Sequence, residues 1–193
     1  MCDATVQMLK RVDEGLLRHG IPPNTEPTGF KAWMTIKVGT HKYPDVLQCK
    51  IISSDCVISS GAKSLMGRES YTLVTEEMEM HLVKISAREL GFTRKAFLKD
   101  VCDGALKQGL WGCYADVGPE LRWQYKGQPQ EEVLRVTSLG RIADKKGWSR
   151  NFVVLNHCGI EYLDSLPGRD DTEIEPDDLL VFWRPSKNGL VER

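Results

Sequence analysis

Asp116, Arg122, Tyr125 and Gln128 fall inside one short stretch, GCYADVGPELRWQYKGQPQE (112–131), with Glu132 directly after it. A guanidinium is a rigid fork of donors and a phenol is both donor and acceptor. If the LRWQY element turns helically, Arg122 and Tyr125 meet on one face and suit an anionic or carbonyl ligand. The competing reading is that these polar groups bond loop carbonyls and fix the crossing from helix to sheet. For Arg122 the balance favours bracing, and for Tyr125 partial exposure.

Other constellations carry weaker chemistry. A nucleophilic cysteine needs a histidine within hydrogen-bond reach. His157 and Cys158 are neighbours, and in a strand adjacent side chains point to opposite faces, which excludes a dyad there. His81 with Cys102, or His157 with Cys113, would have to meet through the fold. Cys102, Cys113, His157 and Cys158 have zinc-binding atoms but no zinc-site spacing, so no metal is expected. Inert, buried thiols are the simpler reading. No phosphate loop surrounds GTHK or GAKS, and no cofactor is expected.

Two basic groups bear on nucleic acid. ISARELGFTRKAFLKDV (85–101) partly imitates a helix-turn-helix, with Arg94, Lys95 and Lys99 toward phosphates. Ser86 stands where that motif is usually apolar, and the segment before Ala87 reads as strand. RIADKKGWSR (141–150) sets Lys145, Lys146 and Arg150 around Trp148, a pattern that attracts phosphates and stacks a base. Lysines at a hairpin tip also guard against edge pairing.

The elements that must position these groups follow from periodicity. Residues 4–18 carry a helical stripe ended by Gly20 and Pro22-Pro23, so the first unit is an N-terminal helix within 1–24. Residues 25–112 read as an α+β part: a strand within 30–40, a strand over 79–87, and a helix from Arg94 to about Gly109 capped by Thr93. The 44–66 segment fits either strand or two short helices broken at Ser53-Ser54, and favours the helices, with Asp55 as a cap and Gly67 as a stop. Residues 113–193 read as a linking loop and short strands, with DKKG a hairpin tip and LPGRDD a loop. Gly118-Pro119 and Gln128-Pro129 forbid a continuous helix through the linking loop. The expected fold is α+β: helices on a small sheet, then a C-terminal antiparallel meander, in one compact domain.

MHLVKISARELGF, GCYADVGPELRWQYKGQP, RIADKKG and DDLLVFWRP together resemble a family of small uncharacterised bacterial proteins. Its mid-chain phrase is of the type Cys-Pro-Ala-Glu-Val-Gly-Pro-x-Leu-Arg-x-x-Tyr-x-x-Gln-Pro-x-Gly-Glu. Cys113, Val117, Gly118, Pro119, Leu121, Arg122, Tyr125, Gln128, Pro129 and Glu132 match it. Asp116 stands for its Glu, and Glu131 for its Gly. The resemblance runs from about Phe30 to Pro185, implies helices in 44–66, and brings no activity with it.

Totals narrow the classes. The chain has 193 residues, 26 basic against 27 acidic, for a net charge of -1, so a global field for nucleic acid or anionic membrane is absent. The six cysteines include no Cys-x-x-Cys pair, the start is neither apolar nor signal-like, and no stretch is long enough to span a membrane. These features imply a reduced, cytoplasmic, disulfide-free protein. The functional expectation is a non-catalytic interaction or accessory protein, with a protein partner, working through the 113–132 loop. The alternative is a small enzyme using Arg122, Tyr125 and Cys113. Nucleic-acid binding through 94–99 or 141–150 is the third reading.

Overall fold

The computed structural model describes residues 29–140 and 142–185. The helix expected within 1–24, Cys2 and Arg141 lie outside the described residues. The fold is mixed α+β, built on one eight-stranded sheet.

Strand β1 (Met34–Val38) pairs antiparallel with β3 (Met78–Ser86), Ile36 facing Met80. Between them lie helices α1 (Pro44–Ile52) and α2 (Ser60–Met66), separated by a two-residue strand β2 (Val57–Ile58). Proline starts α1, where its missing N–H costs nothing. The Ser59 hydroxyl caps α2 by accepting the Ala62 N–H. Asp55 is not that cap: it turns the chain with φ 60°.

After β3, a turn through Gly91 (φ 101°) leads to β4 (Ala96–Phe97) and helix α3 (Leu98–Lys107). The helix begins at Leu98 rather than Arg94 because Ala96 and Phe97 pair with the two-residue strand β9 (Glu173–Ile174). Residues 85–101 therefore hold strand, turn and strand before one helix begins, which is no helix-turn-helix.

Helix α4 (Val117–Gln124) follows. Gly118-Pro119 does not break it: Pro119 sits in the first turn, where N–H groups have no intrahelical acceptor. Strands β5 (Val133–Val136), β6 (Ile142–Ala143), β7 (Ser149–His157), β8 (Ile160–Pro167) and β10 (Leu179–Trp183) complete the set.

The C-terminal part is not the simple antiparallel meander expected. Strand β10 inserts between β3 and β5, antiparallel to β3 and parallel to β5, giving the order β1-β3-β10-β5-β7-β8-β2 with β6 on β7. It thereby joins both halves of the chain in one sheet. Alternation splits the core in two. Val181 and Leu82 face a cluster with Leu47, Leu65 and Leu121, under α1, α2 and α4. Phe182, Leu180 and Ile85 face a second cluster with Leu98, Val101 and Ala105 of α3.

Candidate functional site

The 113–132 segment is held from inside. Cys113 bridges to Ser138 beside the sheet, its N–H donating to the Thr137 carbonyl at 2.7 Å. Helix α4 then lies so close to β7 that a Cβ at Gly118 would come within 2.4 Å of Phe152 Cβ. Gly118 is there for that approach, rather than for the backbone freedom a loop would need.

Arg122 has no exposed surface. Its guanidinium donates to Gln128 Oε1 at 2.6 Å, to the Tyr125 carbonyl and to Glu161 Oε2. Gln128 passes the bonding on, its side-chain amide donating to the Glu132 and Val154 carbonyls at 3.1 Å each. Asn156 Nδ2 donates to the Gln128 carbonyl at 2.7 Å. One arginine thus ties α4, the 125–132 turn, β7 and β8 together.

A second buried polar group lies on the other side of α4. His41 Nδ1 is 2.9 Å from Glu120 Oε1, and Gln124 Nε2 donates to Glu120 Oε2 at 2.9 Å. The Gln124 amide also accepts the Lys37 N–H at 2.9 Å and donates to the Lys37 carbonyl at 2.7 Å. It mimics a neighbouring strand and closes part of the free edge of β1. Asp116 accepts the Val74 N–H at 3.0 Å, while its other oxygen has no partner. Burial, with Glu120 nearby, pushes its carboxyl up to about 7, against the pull of the Val74 N–H. Burial likewise raises the Tyr71 phenol, helped by the charges of Asp116 and Glu120.

Of the five candidate binding residues, Asp116, Arg122 and Gln128 are buried, and Tyr125 and Glu132 reach the surface in part. There they meet two residues the sequence did not single out. Trp33 stands edge-on to Tyr125 with ring centroids 4.9 Å apart, and Lys84 Nζ lies 4.7 Å over the Trp33 ring. Lys84 donates to Glu132 Oε1 at 2.6 Å and the Tyr125 hydroxyl to Glu132 Oε2 at 3.1 Å. Burial, then the Glu132 charge, pushes the Tyr125 phenol up to about 12. Exposed Lys126, Pro129 and Gln130 follow Tyr125 in the adjoining turn. Cys113 is fully buried, with burial raising its thiol, and its Sγ lies 3.8 Å from the Val181 carbonyl. His81 bonds the Thr35 hydroxyl at 2.8 Å.

The basic candidates separate. Lys95 is paired with Glu173 at 3.1 Å and Glu175 at 2.9 Å, and Lys99 with Asp103 at 2.5 Å. Arg94 is exposed beside them. At the β6–β7 tip, Asp144 accepts the Lys146 and Trp148 N–H groups at 2.9 and 3.0 Å and shapes the turn. Lys145 is exposed, Trp148 is 52% exposed, and Lys146 Nζ is 5.2 Å over the Trp148 ring. Arg150 donates to the Ser165 carbonyl at 3.1 Å. Trp148, Arg150, Arg169 and Thr172 line an open depression of about 340 Å³.

One cluster was excluded by the sequence argument and is present. Cys158 is not in a strand: it opens the two-residue turn between β7 and β8, with φ 52°, and Gly159 follows at 79°. The turn folds its Sγ back to 3.6 Å from His157 Nε2, and His157 Nδ1 lies 3.0 Å from Glu131 Oε2. Thiol, imidazole and carboxylate offer donor atoms within 4.8 Å of one another. Glu131 uses one oxygen on His157 Nδ1 and the other on the Cys158 N–H at 3.1 Å. Three ligand atoms from exposed residues are thus within reach of one another, with both Glu131 oxygens already hydrogen-bonded inside the cluster. The five cysteines among the described residues are free thiols.

Comparison with known proteins returns no match: no family model fits the chain, and no curated protein or solved structure is similar to it. The functional reading therefore rests on geometry. Among the described residues no helix is long and apolar enough to cross a membrane.

Proposed function

We propose that this protein is a non-catalytic interaction module whose working surface is the Trp33–Tyr125–Lys84–Glu132 face with the exposed 126–131 turn beside it. The carrying observation is the contrast within one segment. Its interior half is locked to β7 and β8 through Arg122 and Gln128, while its outer half sets Tyr125 and Glu132 against Trp33 and Lys84, a half-buried aromatic pair with a fixed charge pair. Aromatic residues on rigid supports lose little conformational entropy on docking and are enriched at protein interfaces. Burying Arg122 and Cys113 weighs against an enzyme built on them, since neither reaches solvent. The occupant of this face is a protein partner. Affinity purification from native cells, compared by quantitative mass spectrometry, tests this. A partner should be retained by the Trp148→Ala protein and depleted at least about tenfold by Tyr125→Ala with Lys84→Ala, as expected for hot-spot residues. Equal recovery with both variants refutes the assignment.

A second reading has its own observation. The depression beside exposed Trp148, walled by Arg150 and Arg169, combines a stacking ring with guanidinium groups. It suits a single-stranded nucleic acid bound by stacking and phosphate attraction. Carboxylates at Asp144, Asp171 and Glu173 offset much of that charge. A labelled oligothymidylate should bind at low salt, weaken steeply as salt rises, and lose about 1–3 kcal/mol with Trp148→Ala. Salt-insensitive binding, or none, removes this reading.

A further inference from the structure

Among the described residues only three that are not glycine hold a left-handed backbone: Asp55, Glu131 and Cys158. Two of them belong to the Glu131–His157–Cys158 cluster. Such conformations cost free energy, and they persist where surrounding structure or function requires them. Neither is there for the turn's own sake. A two-residue hairpin with φ positive at both positions is best served by Asn-Gly or Asp-Gly, whose short polar side chains tolerate this conformation. Cysteine has no such local hydrogen bond. At 131, φ is 62°, and glycine would fit without strain.

Each residue does, however, serve the cluster. The Glu131 backbone is pinned by its N–H bond to the Asn156 carbonyl at 2.8 Å. Its carboxylate receives the Cys158 N–H at 3.1 Å and holds His157 Nδ1 at 3.0 Å. Those two contacts keep the Glu131 carboxyl below the usual range, so it stays a charged acceptor. With Nδ1–H committed to the carboxylate, His157 presents the Nε2 lone pair to the thiol 3.6 Å away. A base oriented by a carboxylate and aimed at a nucleophile is the arrangement that activates cysteine. All three groups are exposed, so a reactant can reach the sulfur.

We propose that Cys158 is a reactive thiol that undergoes exchange with small-molecule disulfides, with His157 as its base and Glu131 as a positioning residue. In the step, the Cys158 proton passes to His157 Nε2 and the thiolate attacks one sulfur of the disulfide. A bond forms between Cys158 Sγ and that sulfur, and the S–S bond of the small molecule breaks. The departing thiolate takes the proton from His157. The products are a mixed disulfide at Cys158 and one small thiol, so atoms and electrons balance. Glu131 also ends the 126–131 turn, but this chemistry uses none of Trp33, Lys84, Tyr125 and Glu132, so its test does not depend on the interaction reading.

Cys49 supplies the internal reference, being an exposed thiol with no histidine bonded to it among the described contacts. A base held against a thiol draws off its proton and raises its rate of attack, so the two exposed cysteines should separate. The full chain is treated with iodoacetamide at pH 6, and separately with oxidised glutathione, and peptide mapping follows each cysteine. Cys158 should react at least about fivefold faster than Cys49 and should carry the first mixed disulfide. His157→Gln should bring Cys158 to the Cys49 rate, and Glu131→Gln should slow it in part, with Cys49 unchanged in both. Equal rates at Cys158 and Cys49 in the wild-type chain overturn the proposal, as does a His157→Gln protein whose Cys158 reacts at the original rate.

Discussion

Replacing Arg122 with alanine removes a guanidinium with no exposed surface and leaves three acceptors without it: Gln128 Oε1, the Tyr125 carbonyl and Glu161 Oε2. Removing one partner of a buried ion pair costs about 3–5 kcal/mol because the other charge stays behind. The Glu161 side chain keeps 17% of its surface in water, which softens that penalty. An unpaired buried amide or carbonyl adds about 1–3 kcal/mol, although Gln128 keeps its Nε2 bonds to two carbonyls. These terms overlap, so about 3 kcal/mol is the expected loss, or about 6–12 °C in Tm for a chain of this size. Urea unfolding followed by circular dichroism reads the midpoint. The double variant Arg122→Ala with Glu161→Ala should lose less than the sum of the singles, by about 1 kcal/mol or more, because contacting residues couple. A midpoint for Arg122→Ala that overlays the wild type would show that the guanidinium does not brace the segment.

Three further outcomes follow from the same packing. Asp116 ionises at about 7 in the fold against an ordinary 3.8, so the folded state holds its proton between those values while the unfolded state has lost it. Stability from this group is then complete below about 4 and falls as pH rises to about 7, by up to about 4 kcal/mol. Asp116→Asn, which keeps an acceptor for Val74, should flatten urea midpoints between pH 5 and pH 8 and raise the value at pH 8; an unchanged slope rejects the raised ionisation. Gly118→Ala should cost about 1–3 kcal/mol by pushing α4 off the Phe152 Cβ, read as a lower urea midpoint; a neutral Gly118→Ala means that the helix does not sit so close. Gln124→Ala should cost about 1–2 kcal/mol and speed hydrogen exchange at the Lys37 amide, and unchanged exchange there would contradict the edge-capping role.

What the sequence shows is mostly local. The alternation of MHLVKIS marks a strand and the spacing of Val101 and Ala105 a helix because period separates those states, whereas Phe97, one turn earlier on the same stripe, ends β4 and is half exposed. Asp144 to Gly147 forms a tip because Asp and Gly suit turns. The insertion of β10 between β3 and β5 is a non-local pairing, and no local period encodes which strands become neighbours. Pro119 reads as a breaker until the helix start is known, after which it is an ordinary first-turn residue. Gly118 gives no hint that Phe152 is its neighbour. Arg122 finds its carboxylate at Glu161, 39 residues away, and Tyr125 meets Trp33 from β1's entry, so the site's charge balance and its aromatic face are both tertiary. The Cys158 cluster is hidden in the sequence because His-Cys-Gly-Ile lacks the Asn-Gly signature of a tight hairpin and reads as strand where a turn stands.

The most direct test of the interaction reading is site-specific photo-crosslinking of the full chain in its native cells. A photoreactive residue replaces Lys126, exposed and next to Tyr125 in the chain, in one protein and exposed Phe97, on the β4–β9 ribbon, in another. The account predicts a discrete protein adduct from position 126 that disappears when Tyr125→Ala is added, and no such adduct from position 97. No discrete adduct at 126, or one that survives Tyr125→Ala, would contradict it.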